Sequence, residues 1–191
     1  MKRLTTVLFA LLLFVGSLGA QTKWALKTNL LHDATGSMNL AAEIAFTPKW
    51  SLEFGLSGNM WASKEISLQH AIFQPEARYW FCEAYSGLFL AGYLQGGITT
   101  LYGLYDFSPY NSRYPNLKDY QLRDALLLGV GAGIGYDFIL NRHWNLELEL
   151  GLGYLYTKGD ECLNKDVVLL KGSEFDYFGP SKLAVSIVYL F

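Results

Sequence analysis

The stretch WNLELELGLGYLYT, Trp144–Thr157, carries the pattern that decides the fold of this chain. Apolar residues occupy every second position from Trp144 to Tyr156, and the positions between them hold Asn, Glu, Gly and Thr, with Leu155 as the exception. Side chains alternate between two faces in a β-strand, whereas an α-helix would mix the two sets around its circumference. The stretch is therefore predicted to be a strand with one apolar and one polar face.

The same alternation recurs in seven other segments, so eight strands are predicted in total. These segments begin near Lys23, Leu40, Leu52, Ala71, Leu88, Leu126 and Leu183. Their length of roughly 9–13 residues suits the ~9–11 residues with which a tilted strand crosses a bilayer, while soluble strands average ~5–6 residues.

The predicted connections between strands differ in length on the two sides of the sheet. Short connections at Thr47–Lys49, Cys82–Ser86 and Ile139–His143 alternate with connections at Ala34–Ser37, Ala62–Leu68, Thr100–Asp124 and Lys158–Pro180. Outer-membrane barrels combine short periplasmic turns with longer outer loops, and an even strand number places both ends on one side. The sequence is thus predicted to form an all-β fold, an eight-stranded antiparallel up-and-down transmembrane β-barrel.

The first twenty residues have the features of a secretory signal peptide. Lys2 and Arg3 precede the apolar run Leu4–Val15, and small residues follow up to Ala20. The run is shorter than the ~20 residues of a membrane-spanning helix. We therefore predict a cleavable signal peptide at residues 1–20, a barrel domain at residues 21–191 and a location in the cell outer membrane.

The overall composition agrees with an exported, membrane-embedded chain. Hydrophobic residues make up 51% and charged residues only 17% of the sequence. An exported chain this apolar hides its apolar surface either in a soluble sandwich or in a closed barrel surrounded by lipid. The 15 Lys+Arg form no basic cluster and face 17 Asp+Glu, so no nucleic-acid partner is expected.

Large aromatic residues stand where the predicted strands start and end on the side of the short turns. Such residues prefer the interface between membrane and water, so we predict a periplasmic aromatic girdle there. Core aromatics of a soluble barrel are the alternative. The girdle consists of Trp24, Phe46, Trp50, Phe81, Phe138, Trp144 and Phe191.

The polar faces of the strands carry charges that would project into the barrel. The predicted interior cluster consists of Lys27, Glu43, Glu53, Glu76, Arg78, Glu147 and Glu149. Counting from the strand ends, we expect Glu53 to lie level with Arg78 and to pair with it, because buried charges must be paired. Glu149 is expected to face Gly133, and Glu147 to face Gly135. Structural filling of a narrow lumen is the favoured role, and a cation site or proton path is the alternative.

Several stretches resemble an uncharacterised family of small outer-membrane β-barrel proteins from Bacteroides-type bacteria. The resemblance rests on KWALKTNLLHDAT (Lys23–Thr35), NLAAEIAFTPKWSLEFG (Asn39–Gly55) and QPEARYWF (Gln74–Phe81). It implies the barrel fold and the outer-membrane location but no reaction. The last strand, which ends at Phe191, resembles the signal by which the barrel-assembly machinery recognises such chains. That machinery and outer-membrane lipid are therefore the expected partners.

The sequence assigns no catalytic residue, cofactor site or metal site. His32, His70 and His143 are the histidines available as a base, and no pattern sets one of them beside a serine. Cys82 and Cys162 are predicted to lie on opposite sides of the membrane and to remain free thiols.

The long third outer loop combines aromatic residues with Arg, as in surfaces that recognise protein or glycan. The alternative is that these rings pack on one another above the barrel. The candidates are Tyr102, Tyr105, Phe107, Tyr110, Arg113, Tyr114 and Tyr120. The predicted function is a non-enzymatic outer-membrane barrel with a structural or surface-interaction role. A lipid-modifying outer-membrane enzyme and a narrow small-solute channel are the alternatives.

Overall fold

Eight antiparallel strands follow one another in chain order, and the first pairs with the last, so that the sheet closes into a barrel. The computed structural model describes residues 23–60, 67–102, 120–163 and 167–191. The predicted all-β, up-and-down arrangement of eight antiparallel strands is confirmed. The strands are β1 (Lys23–Asn29), β2 (Met38–Thr47), β3 (Trp50–Asn59), β4 (Ser67–Trp80), β5 (Gly87–Tyr102), β6 (Tyr120–Ile139), β7 (Trp144–Leu163) and β8 (Val167–Leu190).

A short helix, α1 (Leu30–Ala34), follows β1 directly. The Asn29 side chain caps it by accepting a hydrogen bond from the backbone N–H of Leu31 at 3.1 Å. At the other end, the backbone N–H of Thr35 donates to the carbonyl oxygen of His32 at 3.0 Å. The alternation of Trp24, Leu26, Thr28 and Leu30 predicts that the first strand extends to Leu30. This prediction is wrong, because the Asn29 cap turns the chain into the helix. No helix among the described residues has the length and apolar character needed to cross a membrane.

The two ends of the barrel differ in their connections. At one end, named the turn end here, lie the start of β1, the end of β8 and the connections at residues 48–49, 81–86 and 140–143. Side chains close these turns: Thr47 Oγ1 accepts a hydrogen bond from the N–H of Trp50 at 2.9 Å, and Asn141 Oδ1 accepts one from Trp144 at 3.1 Å. The opposite end, where β3, β5 and β7 finish, is named the loop end.

The strands at the loop end extend further than the alternation predicts. β5 continues to Tyr102 and β6 begins at Tyr120, so the ends of the predicted connection Thr100–Asp124 are strand. Every described residue of the predicted connection Lys158–Pro180 also lies in β7 or β8. The predicted bounds of these connections are wrong because a strand can continue wherever its backbone is paired. Apolar–polar alternation, by contrast, appears only where one face of the strand is turned to an apolar medium.

Two details of the predicted register are also wrong. Ile139 pairs with Asn145, so the β6–β7 hairpin is centred one residue beyond Asn141. Each partner on β6 therefore moves by two residues: Glu149 faces Gly135 instead of Gly133, and Glu147 faces Asp137 instead of Gly135. On β3 and β4, Glu53 is level with Glu76, while Arg78 is level with Ser51.

The barrel has a charged interior and an apolar exterior, the reverse of the usual order in a water-soluble protein. On β7, the inward-facing Glu147 and Glu149 are 1% and 3% exposed, whereas the outward-facing Leu148 and Leu150 are 41% and 51% exposed. On the other strands, too, inward-facing side chains are generally more buried than outward-facing ones. Most of the charged side chains that could form a functional site therefore lie inside the barrel.

Candidate functional site in the barrel interior

Basic side chains from three strands converge with five glutamates inside the barrel. Lys27 comes from β1, Arg78 from β4 and Lys182 from β8, and all three are largely buried. We call these groups the charged cluster, which consists of Lys27, Glu43, Glu53, Glu76, Arg78, Glu147, Glu149 and Lys182. Seven of its eight members are the residues of the predicted interior cluster, and all seven are buried and take part in ion pairs.

Arg78 is the centre of the charged cluster. Its guanidinium nitrogens lie 2.5–3.1 Å from carboxylate oxygens of Glu43, Glu53, Glu76, Glu147 and Glu149. The predicted Arg78–Glu53 pair is present, with 2.8 Å between Nη2 and Oε2, although the two residues are not level. The long Arg side chain spans the difference in register. On its other side the guanidinium carbon lies 4.5 Å from the centre of the Phe89 ring, a cation–π contact.

The two lysines pair largely with different glutamates of the charged cluster. Lys27 Nζ pairs with Glu43 and lies 2.6 Å from Glu147 Oε2. Lys182 Nζ pairs with Glu76 and lies 2.8 Å from Glu149 Oε2. Lys182 is missing from the predicted interior cluster, although its position parity on the last strand points inward. The last strand was predicted to begin at about that residue, and Lys182 was not counted among the interior charges.

Carboxylates outnumber basic groups in this part of the lumen. Five glutamates face three basic side chains, and the buried Asp137 lies directly opposite Glu147 on the neighbouring strand. Neither oxygen of Asp137 accepts a hydrogen bond from the described residues. No group of three or more His, Cys, Asp or Glu side chains among the described residues could hold a metal ion. Asp137 apart, the carboxylates in this part of the lumen are paired with basic side chains.

Glycines on β6 make room for large inward side chains. A Cβ atom on Gly135 would lie 2.2 Å from Cζ of Phe89, and one on Gly131 would lie 2.4 Å from Cζ of Tyr93. A Cβ on Gly133 would lie 3.0 Å from Oε1 of Glu149. The alternation of glycine with apolar residues on β6 therefore serves packing on the inside of the barrel.

An aromatic plug closes the lumen at the turn end. Trp80 and Phe89 are fully buried with ring centres 4.6 Å apart, and the Trp80 indole N–H donates to Ser51 Oγ at 2.8 Å. Tyr85 folds inward from the turn at residues 81–86, and its hydroxyl donates to the carbonyl oxygen of Lys23 at 3.1 Å. Burial raises the pKa of this hydroxyl above its usual value. Trp80 could have been predicted, since it continues the inward parity of Glu76 and Arg78.

A cavity of about 70 Å³ lies on the loop-end side of the charged cluster. It has room for about two water molecules at ~30 Å³ each. Glu53, Glu149 and Lys182 line its floor, and Asn29, His32 and Asn39 line its mouth. The plug of Trp80, Tyr85 and Phe89 separates it from the turn end.

The histidines considered as bases do not meet a nucleophile among the described side chains. The His32 and His70 rings lie 6.4 Å apart near the loop end. Ser37 Oγ is instead 3.0 Å from the Thr35 hydroxyl and accepts a hydrogen bond from Asn59. Burial lowers the pKa of His32, whose Nδ1 has no hydrogen-bond partner among the described residues. His143 lies at the turn end, stacked on Tyr189.

The cysteines and the aromatic residues occupy separate parts of the barrel. Cys82 is exposed at the turn end, Cys162 is buried near the loop end, and both are free thiols as predicted. All seven girdle residues lie at the turn end with 38–72% of their surface exposed. Of the third-loop candidates, Tyr102 ends β5 and Tyr120 begins β6. The remaining candidates, Tyr105, Phe107, Tyr110, Arg113 and Tyr114, lie outside the described residues.

The comparison with protein families gives one match that covers nearly the whole chain. Residues 5–191 match the family described as protein of unknown function (DUF3575). The comparison with curated proteins finds no match. Neither comparison assigns a role to the charged cluster.

Proposed function

The chain belongs to the DUF3575 family of proteins of unknown function, and we propose that it is a non-enzymatic β-barrel of the bacterial outer membrane with a structural or surface-interaction role. Residues 1–20 are its cleavable signal peptide in this proposal. The observation that carries the proposal is an outer face that is apolar and uncharged between the girdle and Tyr154, on a barrel whose inner face is charged. In water this arrangement would expose a wide apolar surface, whereas in lipid it buries that surface at no cost to the charges.

The apolar face of β7 has the height of a membrane core. Leu146, Leu148, Leu150 and Leu152 point outward between Trp144 and Tyr154. Ten residues of a strand tilted as in outer-membrane barrels rise by ~25 Å, which matches the apolar band of such proteins. The first outward charge beyond Tyr154 on this strand is Lys158, which pairs with Glu174 of β8 at 2.7 Å. This ion pair would lie in water above the band.

Aromatic side chains mark both edges of the same band. The girdle lies at the turn end, and Trp50, Trp144 and Phe191 there contact Tyr79 or Tyr189. Toward the loop end, Tyr154 is 43% exposed, and its neighbour across the strands, Phe178, is 79% exposed. Two aromatic edges around an apolar band are typical of transmembrane barrels.

The interior supports a structural role over the enzyme and channel alternatives. The basic groups of the charged cluster are all engaged with carboxylates, and the aromatic plug closes the turn end. A channel would need a continuous polar lumen, whereas here a cavity of about 70 Å³ ends on that cluster. An enzyme would need a nucleophile beside an imidazole, and neither His32 nor His70 has a serine partner among the described side chains.

Cell fractionation combined with thiol labelling tests the location and the orientation together. The protein should sediment with the outer membrane, and a membrane-impermeant maleimide should label Cys82 only after the outer membrane has been permeabilised. A matched variant with Cys82→Ser and Lys171→Cys moves the exposed thiol to the loop end and should be labelled on intact cells. Recovery in the soluble periplasm, or equal labelling of Cys82 on intact cells, contradicts the proposal.

A further inference from the structure

A basic residue stands just before each tryptophan of the aromatic girdle. The pairs are Lys23-Trp24, Lys49-Trp50 and, with one histidine between, Arg142-His143-Trp144. They occur where β1, β3 and β7 begin, so all three lie at the turn end. The barrel thereby brings three separate sequence segments to one rim, each with a cation next to an indole.

The contacts at the rim keep these groups beside the girdle. Lys49 Nζ lies 6.0 Å from the centre of the Tyr79 ring, which in turn contacts Trp50 at 5.1 Å between ring centres. His143 stacks on Tyr189 at 6.0 Å, and Trp144 contacts the same tyrosine at 4.9 Å. The indoles of Trp24, Trp50 and Trp144 are 44–50% exposed. At this rim, basic side chains and exposed indole rings therefore lie side by side on the surface.

The side-chain charge of the described turn end is positive. Glu83 is the one acidic side chain on the connections of the described turn end, and it pairs with Lys23 at 2.8 Å. The hydrogen bond from Lys23 lowers the pKa of Glu83. No acidic side chain among the described residues pairs with Lys49 or Arg142. Within the described part of the chain, these two cations are available to a bound partner.

We propose that the turn end binds the anionic head groups of the phospholipid leaflet that it meets, with Lys49 and Arg142 on the phosphates and the girdle indoles at the head-group level. The inference rests on the proposed membrane location. Basic side chains at a bilayer surface attract anionic lipid, and Trp prefers the depth of the head groups. A cation beside an exposed indole presents both properties in one place.

Quenching of tryptophan fluorescence by brominated lipid measures which lipid surrounds the girdle. The Trp61→Phe variant leaves the three girdle indoles and the buried Trp80 as emitters. It is folded into bilayers of mixed zwitterionic and anionic phospholipid in which only one species carries bromine. Brominated anionic lipid should quench more strongly, corresponding to at least about a threefold preference in association. The preference should fall at high salt because the rim charges are screened.

Two double variants distinguish the effect of the rim charges on lipid preference from the effect of the protein's net charge. Lys49→Gln with Arg142→Gln should abolish the preference, whereas Lys158→Gln with Lys171→Gln, which removes the same charge near the loop end, should retain it. Equal quenching by both lipids in a folded, inserted barrel overturns the inference and leaves the membrane location standing. Absence of quenching by either lipid overturns both the inference and the proposed membrane location.

Discussion

Replacing Arg78 by methionine is expected to lower the free energy of unfolding by about 3–5 kcal/mol, the cost of breaking a buried ion pair. Methionine retains part of the contact with Phe89 but removes the cation that lies against five glutamates. Lys27 and Lys182 would then face the same carboxylates alone. The measurement is the urea midpoint of the folded barrel, followed by the shift in gel mobility between folded and heated samples.

Arg142→Met, measured in zwitterionic lipid without the anionic partner proposed for Arg142, is the matched control, because it removes an exposed arginine from the turn end. This control should leave the urea midpoint nearly unchanged. Arg78→Lys should fall between the two, since an ammonium group reaches fewer carboxylates than a guanidinium fork. Equal midpoints for Arg78→Met and Arg142→Met would show that the charged cluster contributes nothing to stability.

Leu150→Arg should destabilise the barrel in bilayers by about 2–4 kcal/mol, the cost of an arginine near the membrane midplane. Leu150 points outward, is 51% exposed and lies near the middle of the span between Trp144 and Tyr154. If this face were in water instead, a charge there would meet solvent and change stability little. Folding yield and urea midpoint in lipid vesicles distinguish the two environments.

Leu140→Arg provides the control for position. Leu140 is 59% exposed in the turn at residues 140–143, so its arginine would reach the interface and should cost at most about 1 kcal/mol. Indifference of the barrel to Leu150→Arg would mean that the outer face of β7 does not contact lipid.

The strands and the interior cluster could be predicted from the sequence because apolar and polar residues alternate within the apolar band. This alternation indicates the face on which each residue lies. The alternation Leu146, Leu148, Leu150 against Glu147 and Glu149 sets both the strand and the direction of its charges. The same parity identifies the inward members on the other strands. The sequence determines the register between neighbouring strands less well. If the centre of a hairpin is misplaced by one residue, every cross-strand partner moves by two residues, as happened for Glu149.

The parts that were missed lie where the apolar band ends. The β7–β8 hairpin above Lys158 pairs through its backbone and mixes the charged Lys158 and Glu174 with the exposed Val168 and Leu170, so no regular alternation marks it. Lys182, which lies where the last strand was predicted to begin, was likewise left out of the predicted interior cluster. The inward fold of Tyr85 depends on a turn at residues 81–86 whose shape is set by tertiary contacts, including the hydrogen bond that its carbonyl oxygen accepts from Asn145.

A spin-label scan of β7 tests most directly whether the outer face contacts lipid. Single cysteines at positions 146, 148, 150, 152 and 158, in a chain lacking Cys82 and Cys162, each receive a nitroxide in the folded barrel. The labels at 146 to 152 should be relaxed by oxygen, which concentrates in lipid, and shielded from a water-soluble nickel reagent, whereas position 158 should show the opposite. Relaxation by the nickel reagent at all five positions would contradict a lipid-facing outer surface.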